Sequence, residues 1–198
     1  MGGITLNKEL IYLKGFAKGH SLFELLKAIN AATKLHEGQI RNNGEPFIIH
    51  PTRVTSHLVS LGIHDDIMLA SAILHDVVED CGVTIQTLML DYGIDPATIA
   101  VVKLLTKYDA ISDEHYYQEI SKDQRALLIK ISDRCNNVST MVGAFTNLKV
   151  VDYIKETESH IVPLCKHGTR FYPEYSDKIF VMKYHIESVM NAVKLLIA

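Results

Sequence analysis

Cysteine is scarce in this chain, and its placement builds nothing. Cys81, Cys135 and Cys165 are odd in number and scattered, with no C-x-x-C pair. That excludes a disulfide framework and a zinc knuckle and fits a reducing cytoplasm. Long apolar runs are missing as well: none approaches the roughly 20 residues that a membrane-spanning helix needs. No basic segment leads into an apolar one near the start, so no secretory signal is expected. Met1-Gly2-Gly3 invites a myristoylation reading, but Leu6 stands where that signal carries Ser or Thr. Positive charge is not in excess. A net charge of −3 argues against a general nucleic-acid binder, which shows a basic surface, yet leaves room for a small anionic substrate held by a local basic patch. There is no low-complexity stretch, internal repeat or linker, and no period-2 alternation long enough for a useful strand.

What is present is the composition of a soluble globular protein. The 198 residues are 47% hydrophobic and 22% charged, with five prolines, enough for one domain, 1–198, around a real core. The periodicity is helical almost throughout. A first helix is expected over Leu6–Ala17. Ser21-Leu22-Phe23-Glu24 reads as a capping box for a second, which runs to about His36 before Gly38. Arg41 to Pro46 is a loop by its turn residues. Pro51 opens a helix with Val54, Leu58 and Leu61 on its apolar side. Asp65 or Asp66 caps a central helix reaching Gly82. Further helices start at Thr84, at Asp95-Pro96, around Tyr116-Tyr117 and at Asp123. Asn147 caps a long one that Pro163 kinks or shortens, and Asp177 to Leu196 closes the chain. Of the ten histidines, His20, His57, His64, His115, His160, His167 and His185 read as surface or cap residues.

The stretch Ala72-Ile73-Leu74-His75-Asp76-Val77-Val78-Glu79-Asp80 breaks this ordinary pattern. Four ionisable side chains enter an apolar run, and each buried charge costs several kcal/mol unless compensated. On one helix, Glu79 follows His75 by four residues and Asp80 follows Asp76 by four, so both pairs share a face. A divalent cation is the natural compensator. His50, at a loop–helix junction beside an apolar run, is the first candidate for a further ligand. Asp133 is the second, because the apolar face Leu127, Ile129, Ile131 runs into it. Separately, a His-Asp dipeptide is often a satisfied core pair and Asp133-Arg134 a plain helical ion pair. Together, His50, His75, Asp76 and Asp133 form a set of two imidazoles and two carboxylates that suits Mn²⁺, Fe²⁺ or Zn²⁺.

The pattern His50…His75-Asp76…Asp133 resembles the HD superfamily of metal-dependent phosphohydrolases. More narrowly, the chain looks like the hydrolase domain of the RelA/SpoT family and its free-standing relatives, the small alarmone hydrolases. The matching stretches are His36-Glu37-Gly38-Gln39-Ile40-Arg41, Gly44-Glu45-Pro46-Phe47-Ile48-Ile49-His50-Pro51, Ala72 to Asp80, Leu105-Thr106-Lys107, and Ile129-Lys130-Ile131-Ser132-Asp133-Arg134 through Asn137. They cover about half the chain in the family's order. The resemblance implies an all-α HD-domain bundle of about nine to ten helices around one metal site. It implies a single Mn²⁺ on His50, His75, Asp76 and Asp133, and removal of the 3′-pyrophosphate from guanosine tetra- and pentaphosphate to give GDP or GTP. Glu79 and Asp80 match the acidic pair that aligns or activates the attacking water. Arg41 matches a guanine-contacting arginine and Asn137 a nucleoside-contacting asparagine, with Thr140 one turn further on. Members that have lost hydrolysis typically lack His-Asp-x-x-Glu-Asp, which is complete here.

The chain departs from the family where Asn136 replaces a usual histidine and where Asn42 and Asn43 replace basic or small residues. These departures bear on nucleotide preference rather than on metal chemistry. Two alternatives therefore stand beside guanosine tetraphosphate hydrolysis: an HD phosphohydrolase acting on another nucleotide, such as the 2′-phosphate of NADPH, and a binding module that captures a nucleotide without turnover.

Overall fold

The computed structural model describes residues 8–197. The predicted helix start at Leu6 and the Met1-Gly2-Gly3 segment lie outside them. Within the described residues the regular structure is helical, and the β-type pairing is an isolated bridge between Ile40 and Pro46. The chain divides into two compact units, Met1–Thr106 and Lys107–Ala198. The first contains α1 (Lys8–Gly19), α2 (Phe23–Leu35), α3 (Ile49–Ser60), α4 (Asp66–Leu74), α5 (Val77–Asp80), α6 (Ile85–Asp91) and α7 (Pro96–Leu105). The second contains α8 (Asp113–Ser121), α9 (Gln124–Thr140), α10 (Asn147–Glu156), α11 (Val162–Phe171) and α12 (Ser176–Ile197). Joining α4 to α5 and α10 to α11, which only short interruptions separate, turns these twelve segments into ten, in line with the all-α expectation.

In the first unit α4 is the axis. Its residues Met68 to Leu74 are all buried, because it packs against α2, α3 and α7. A helix that is apolar all round belongs in a core. Its two N-terminal acids divide the labour. Asp65 caps α4 itself, its side chain accepting from the Met68 N–H at 2.9 Å. Asp66 turns outward to α2, where the Glu24 and Leu25 N–H groups donate to its two oxygens at 3.0 and 2.7 Å. The expected capping box at Ser21 is therefore not formed. Ser21 has a φ of 56° and closes α1 instead: its N–H donates to Lys18 O and that of Leu22 to Ala17 O, the paired bonds of a Schellman ending. The Glu24 carboxylate accepts from the Asp95 N–H at 2.7 Å rather than reaching back to Ser21.

The central helix is also shorter than the sequence suggests. It stops at Leu74, His75 and Asp76 form a turn, and α5 resumes for four residues. Asp76 has φ −99° and ψ −8°, the bridge conformation that loosens a helix without reversing it. The carbonyl of Asp76 still accepts from the Asp80 N–H at 2.9 Å.

In the second unit α9 is the axis, packed against α8, α11 and α12 and burying Ala126 to Ile129 and Ile131 to Cys135. α11 lies close at Gly168, where an added Cβ would fall 2.8 Å from Ile179 and 2.9 Å from Leu127. Thr146, not Asn147, caps α10, since its hydroxyl sits one residue ahead of the first helical turn. The long helix expected to be kinked or shortened by Pro163 is interrupted just ahead of it. The coil widens into a π turn over Thr157–Ile161 and continues as α11 with the proline as its second residue.

Candidate metal centre

Three predicted ligands converge in the first unit. His50 stands in the first turn of α3, whose approach is set by a tight loop: Arg41 N–H donates to Glu45 O, Gly44 N–H to Arg41 O, and Gly44 takes a φ of 85° that favours glycine. His75 and Asp76 stand at the break after α4. One ligand atom from each of His50, His75 and Asp76 lies within 4.8 Å of the others. The two imidazoles are buried, and the Asp76 side chain is 22% exposed.

The chemistry of this trio is unbalanced without a cation. Nδ1 of His75 is 2.8 Å from the Ala72 carbonyl, and a carbonyl only accepts, so Nδ1 carries the proton. In the neutral ring Nε2 is then an acceptor. It faces Asp76 Oδ1 at 3.1 Å, and His50 Nε2 faces Asp76 Oδ2 at 3.3 Å. The neutral His75 nitrogen and the carboxylate, acceptor against acceptor, repel unless a proton or a metal ion lies between them. Burial alone would raise the Asp76 carboxyl; positive charge on His75 and a hydrogen bond from His50 outweigh it and hold the group well below the usual carboxylate range, the role a bound cation would take over when the rings are neutral. Two nitrogens and a carboxylate oxygen with one imidazole tautomer fixed from behind are a donor set that fits a divalent transition metal.

Glu79 and Asp80 lie exposed on α5, the turn after Asp76. The Asp80 carboxyl is raised, first by desolvation and then by the Asp76 charge. Arg41 is half-buried with its guanidinium 5.8 Å from the Phe47 ring centroid. Asn43, one of the departures, is used by the loop: its amide donates to Glu45 at 2.8 Å and its carbonyl accepts from the Glu45 N–H at 3.1 Å. Arg53 on α3 grips both Glu45 oxygens at 3.1 Å each. That pairing is the main cause of the lowered Glu45 carboxyl.

The remaining predicted residues sit on α9 in the second unit. Asp133 is buried, and both of its oxygens are engaged: Asn137 donates to Oδ1 at 2.6 Å and Lys130 to Oδ2 at 3.3 Å. Thr140 is half-buried, its hydroxyl bonded to the Asn136 carbonyl at 3.1 Å. Arg134 does not pair with Asp133. It donates to Glu156 at 2.7 Å, Thr157 at 2.9 Å and Tyr117 at 3.2 Å, with its guanidinium over the Tyr153 ring. Three residues given no role in the sequence reading emerge beside these groups. They are Lys130 next to Asp133, and His36 and Gln39, whose side chains reach the end of α5. An imidazole at the end of an apolar helix was the available signal for His36.

An all-α protein with a His-His-Asp metal-type centre, built from a loop–helix junction and a His-Asp dipeptide, is the class that fold and site define. The HD domain family matches residues 28–164, and the chain belongs to that family. Among curated proteins it is 33% identical over 170 residues to guanosine-3′,5′-bis(diphosphate) 3′-pyrophosphohydrolase of Aquifex aeolicus, covering 83% of this chain and 24% of the relative. It is 34% identical to the enzyme of that name from Haemophilus influenzae, over 67% of this chain and 21% of the relative. It is 35% identical to a GTP pyrophosphokinase of Streptomyces coelicolor, over 61% of this chain and 15% of the relative. The chain thus spans about a quarter or less of the length of these relatives. A solved structure of a metazoan ortholog of SpoT, described as hydrolysing ppGpp and playing a role in starvation responses, aligns with a TM-score of 0.67 at 19% identity. The alignment covers 85% of this chain and 94% of that one and shows the shared fold. No helix among the described residues is long and apolar enough to cross a membrane.

Proposed function

We propose that this chain is a divalent-cation-dependent hydrolase of guanosine 3′,5′-bis-polyphosphate, releasing pyrophosphate and leaving GDP or GTP. The observation that carries the reading is the convergence of His50, His75 and Asp76, with both imidazole Nε2 atoms turned on one carboxylate. The names of the relatives support the substrate. The family match, residues 28–164, takes in His50, His75, Asp76 and Asp133, and Asp133 is the proposed fourth ligand in one proposed domain over 1–198. Mn²⁺ is the proposed ion. When bound it supplies Lewis-acid polarisation of a phosphoryl oxygen and a lowered pKa for the attacking water.

The chain's own residues do the rest. His75, fixed by the Ala72 carbonyl, and His50 hold their nitrogens toward Asp76. Glu79 takes the proton of the attacking water, a contribution of about 10²–10⁴-fold, and Asp80 aligns that water. The water oxygen bonds to the phosphorus on the ribose 3′ oxygen, the phosphorus–oxygen bond breaks, and the 3′ oxygen takes up a proton as the nucleoside leaves. Arg41 stacks on the guanine, a task its planar cation suits, while Asn137 and Thr140 contact the nucleoside.

The test is to incubate the protein with guanosine tetraphosphate, ATP and NADPH, each with and without Mn²⁺, and to identify the released phosphate. Pyrophosphate from guanosine tetraphosphate, dependent on the ion, is the expected result. Orthophosphate from NADPH with no pyrophosphate from guanosine tetraphosphate overturns the substrate assignment. Tight nucleotide binding without product from any of the three makes the chain a binding module.

A further inference from the structure

The helical turn that carries Glu79 and Asp80 is only four residues long. A single turn has no stability of its own, and its last carbonyls lack partners within the helix. The carbonyl of Asp80 is satisfied from elsewhere: Gln39 Nε2 donates to it at 2.9 Å and also lies 3.7 Å from Cys81 Sγ. The sense of that amide is fixed in turn. Gln39 Oε1 is 2.8 Å from His36 Nδ1, and reversing the amide would set its oxygen against the Asp80 carbonyl, acceptor against acceptor. So Nδ1 of His36 carries the proton. Burial, the largest influence on this ring, pushes its pKa down, which keeps it neutral with that single N–H. His36 is 2% exposed and stacks on Phe47 with ring centroids 4.7 Å apart and 18° between planes. Phe47 in turn accepts the His50 N–H on its carbonyl at 2.9 Å.

We propose that Gln39, oriented by His36, is a positioning residue that holds the Glu79–Asp80 turn in fixed register with the His50 end of the centre. The line Phe47, His36, Gln39, Asp80 carbonyl links the two segments through side chains, independently of the ligands. Its catalytic consequence rests on the hydrolase reading; its structural content does not. Displacing a reacting group by about 1 Å costs on the order of 10²-fold in rate.

The experiment compares Gln39→Leu, His36→Leu and His36→Asn with the wild type. An asparagine amide places a donor where Nδ1 stands, so H36N is the rescue variant. Amide exchange is followed over residues 77–82, together with kcat and KM for pyrophosphate release and the Mn²⁺ concentration at half-maximal thermal shift. Q39L and H36L are expected to raise exchange in that segment at least tenfold and to lower kcat by about 10–100-fold. KM and the Mn²⁺ midpoint should stay within twofold, and H36N should restore both readouts. Unchanged exchange over 77–82 in Q39L overturns the proposal, as does a kcat loss matched by an equal loss of Mn²⁺ affinity. A wild type that releases no pyrophosphate defeats the hydrolase reading alone, because the exchange result still decides the anchoring.

Discussion

Asp76→Asn separates a metal ligand from a structural ion pair. In the metal-free protein the Asp76 carboxylate faces one imidazole nitrogen at 3.1 Å and another at 3.3 Å, and the His75 nitrogen is a lone pair because its other nitrogen serves Ala72. An asparagine of the same shape removes the charge and offers an N–H to the His75 nitrogen. With a side chain 22% exposed, water reaches the remainder. The substitution should therefore change metal-free stability by no more than about 1 kcal/mol. The response to metal is different. An ion at a hundred times its dissociation constant stabilises the native state by about 2.7 kcal/mol, which at about 2–4 °C per kcal/mol for a chain of this size raises Tm by about 5–11 °C. Thermal denaturation of both proteins with Mn²⁺ and with a chelator reads both quantities. The wild type should show the full shift and D76N almost none. If D76N loses more than about 3 kcal/mol without metal, the cost of breaking a buried ion pair, yet keeps the Mn²⁺ shift, the lone-pair argument is wrong.

Glu79→Ala should lower the rate of pyrophosphate release by about 10²–10⁴-fold while leaving the Mn²⁺ thermal shift intact; an unchanged rate removes Glu79 from the proton transfer. Asp66→Ala leaves the Glu24 and Leu25 N–H groups without their acceptor and should cost about 1–2 kcal/mol in urea denaturation, as the loss of a helix cap does. Glu156→Gln tests the Arg134 cluster through pH. Burial raises the Glu156 carboxyl, but the neighbouring Arg134 outweighs it, and the net folded pKa is below the ordinary 4.5. A depressed folded value means stability that is complete above the unfolded pKa and lost as pH falls through the folded one. E156Q should therefore be about 1 kcal/mol less stable than wild type at pH 7, a modest figure because a third of the carboxylate is exposed. Denaturation midpoints should converge in acid, and a gap that persists there contradicts the linkage.

The candidate centre was the most legible part of the chain. His75 and Asp76 are out of place in an apolar run, and that conflict is visible without coordinates because burial of charge is costly whatever the fold; Glu79 and Asp80, grouped with them on the same argument, lie exposed on α5. Local caps were equally readable where donor and acceptor lie within one turn. Thr84, Asp95 and Asp123 accept from their own helices as their positions predict.

The misreadings share a physical origin. Ser21 looked like the cap of α2, but its N–H groups are held by Asp66, at separations of 42 and 41 residues. The run from Asp65 to Gly82 looked like one helix; it breaks at His75–Asp76, and the end of the short α5 is held by Gln39, again 41 residues away. A helix end needs acceptors and donors but does not specify whose. When a short element is pressed into a core, the nearest polar side chain in space supplies them, and periodicity carries no information about it. Such long-range caps gather around α4 and α5, the segments flanking the His-Asp dipeptide. A metal-type centre demands fixed distances from a chain that has just lost helical continuity, so the groups that restore rigidity have to come from outside the motif that announces the site.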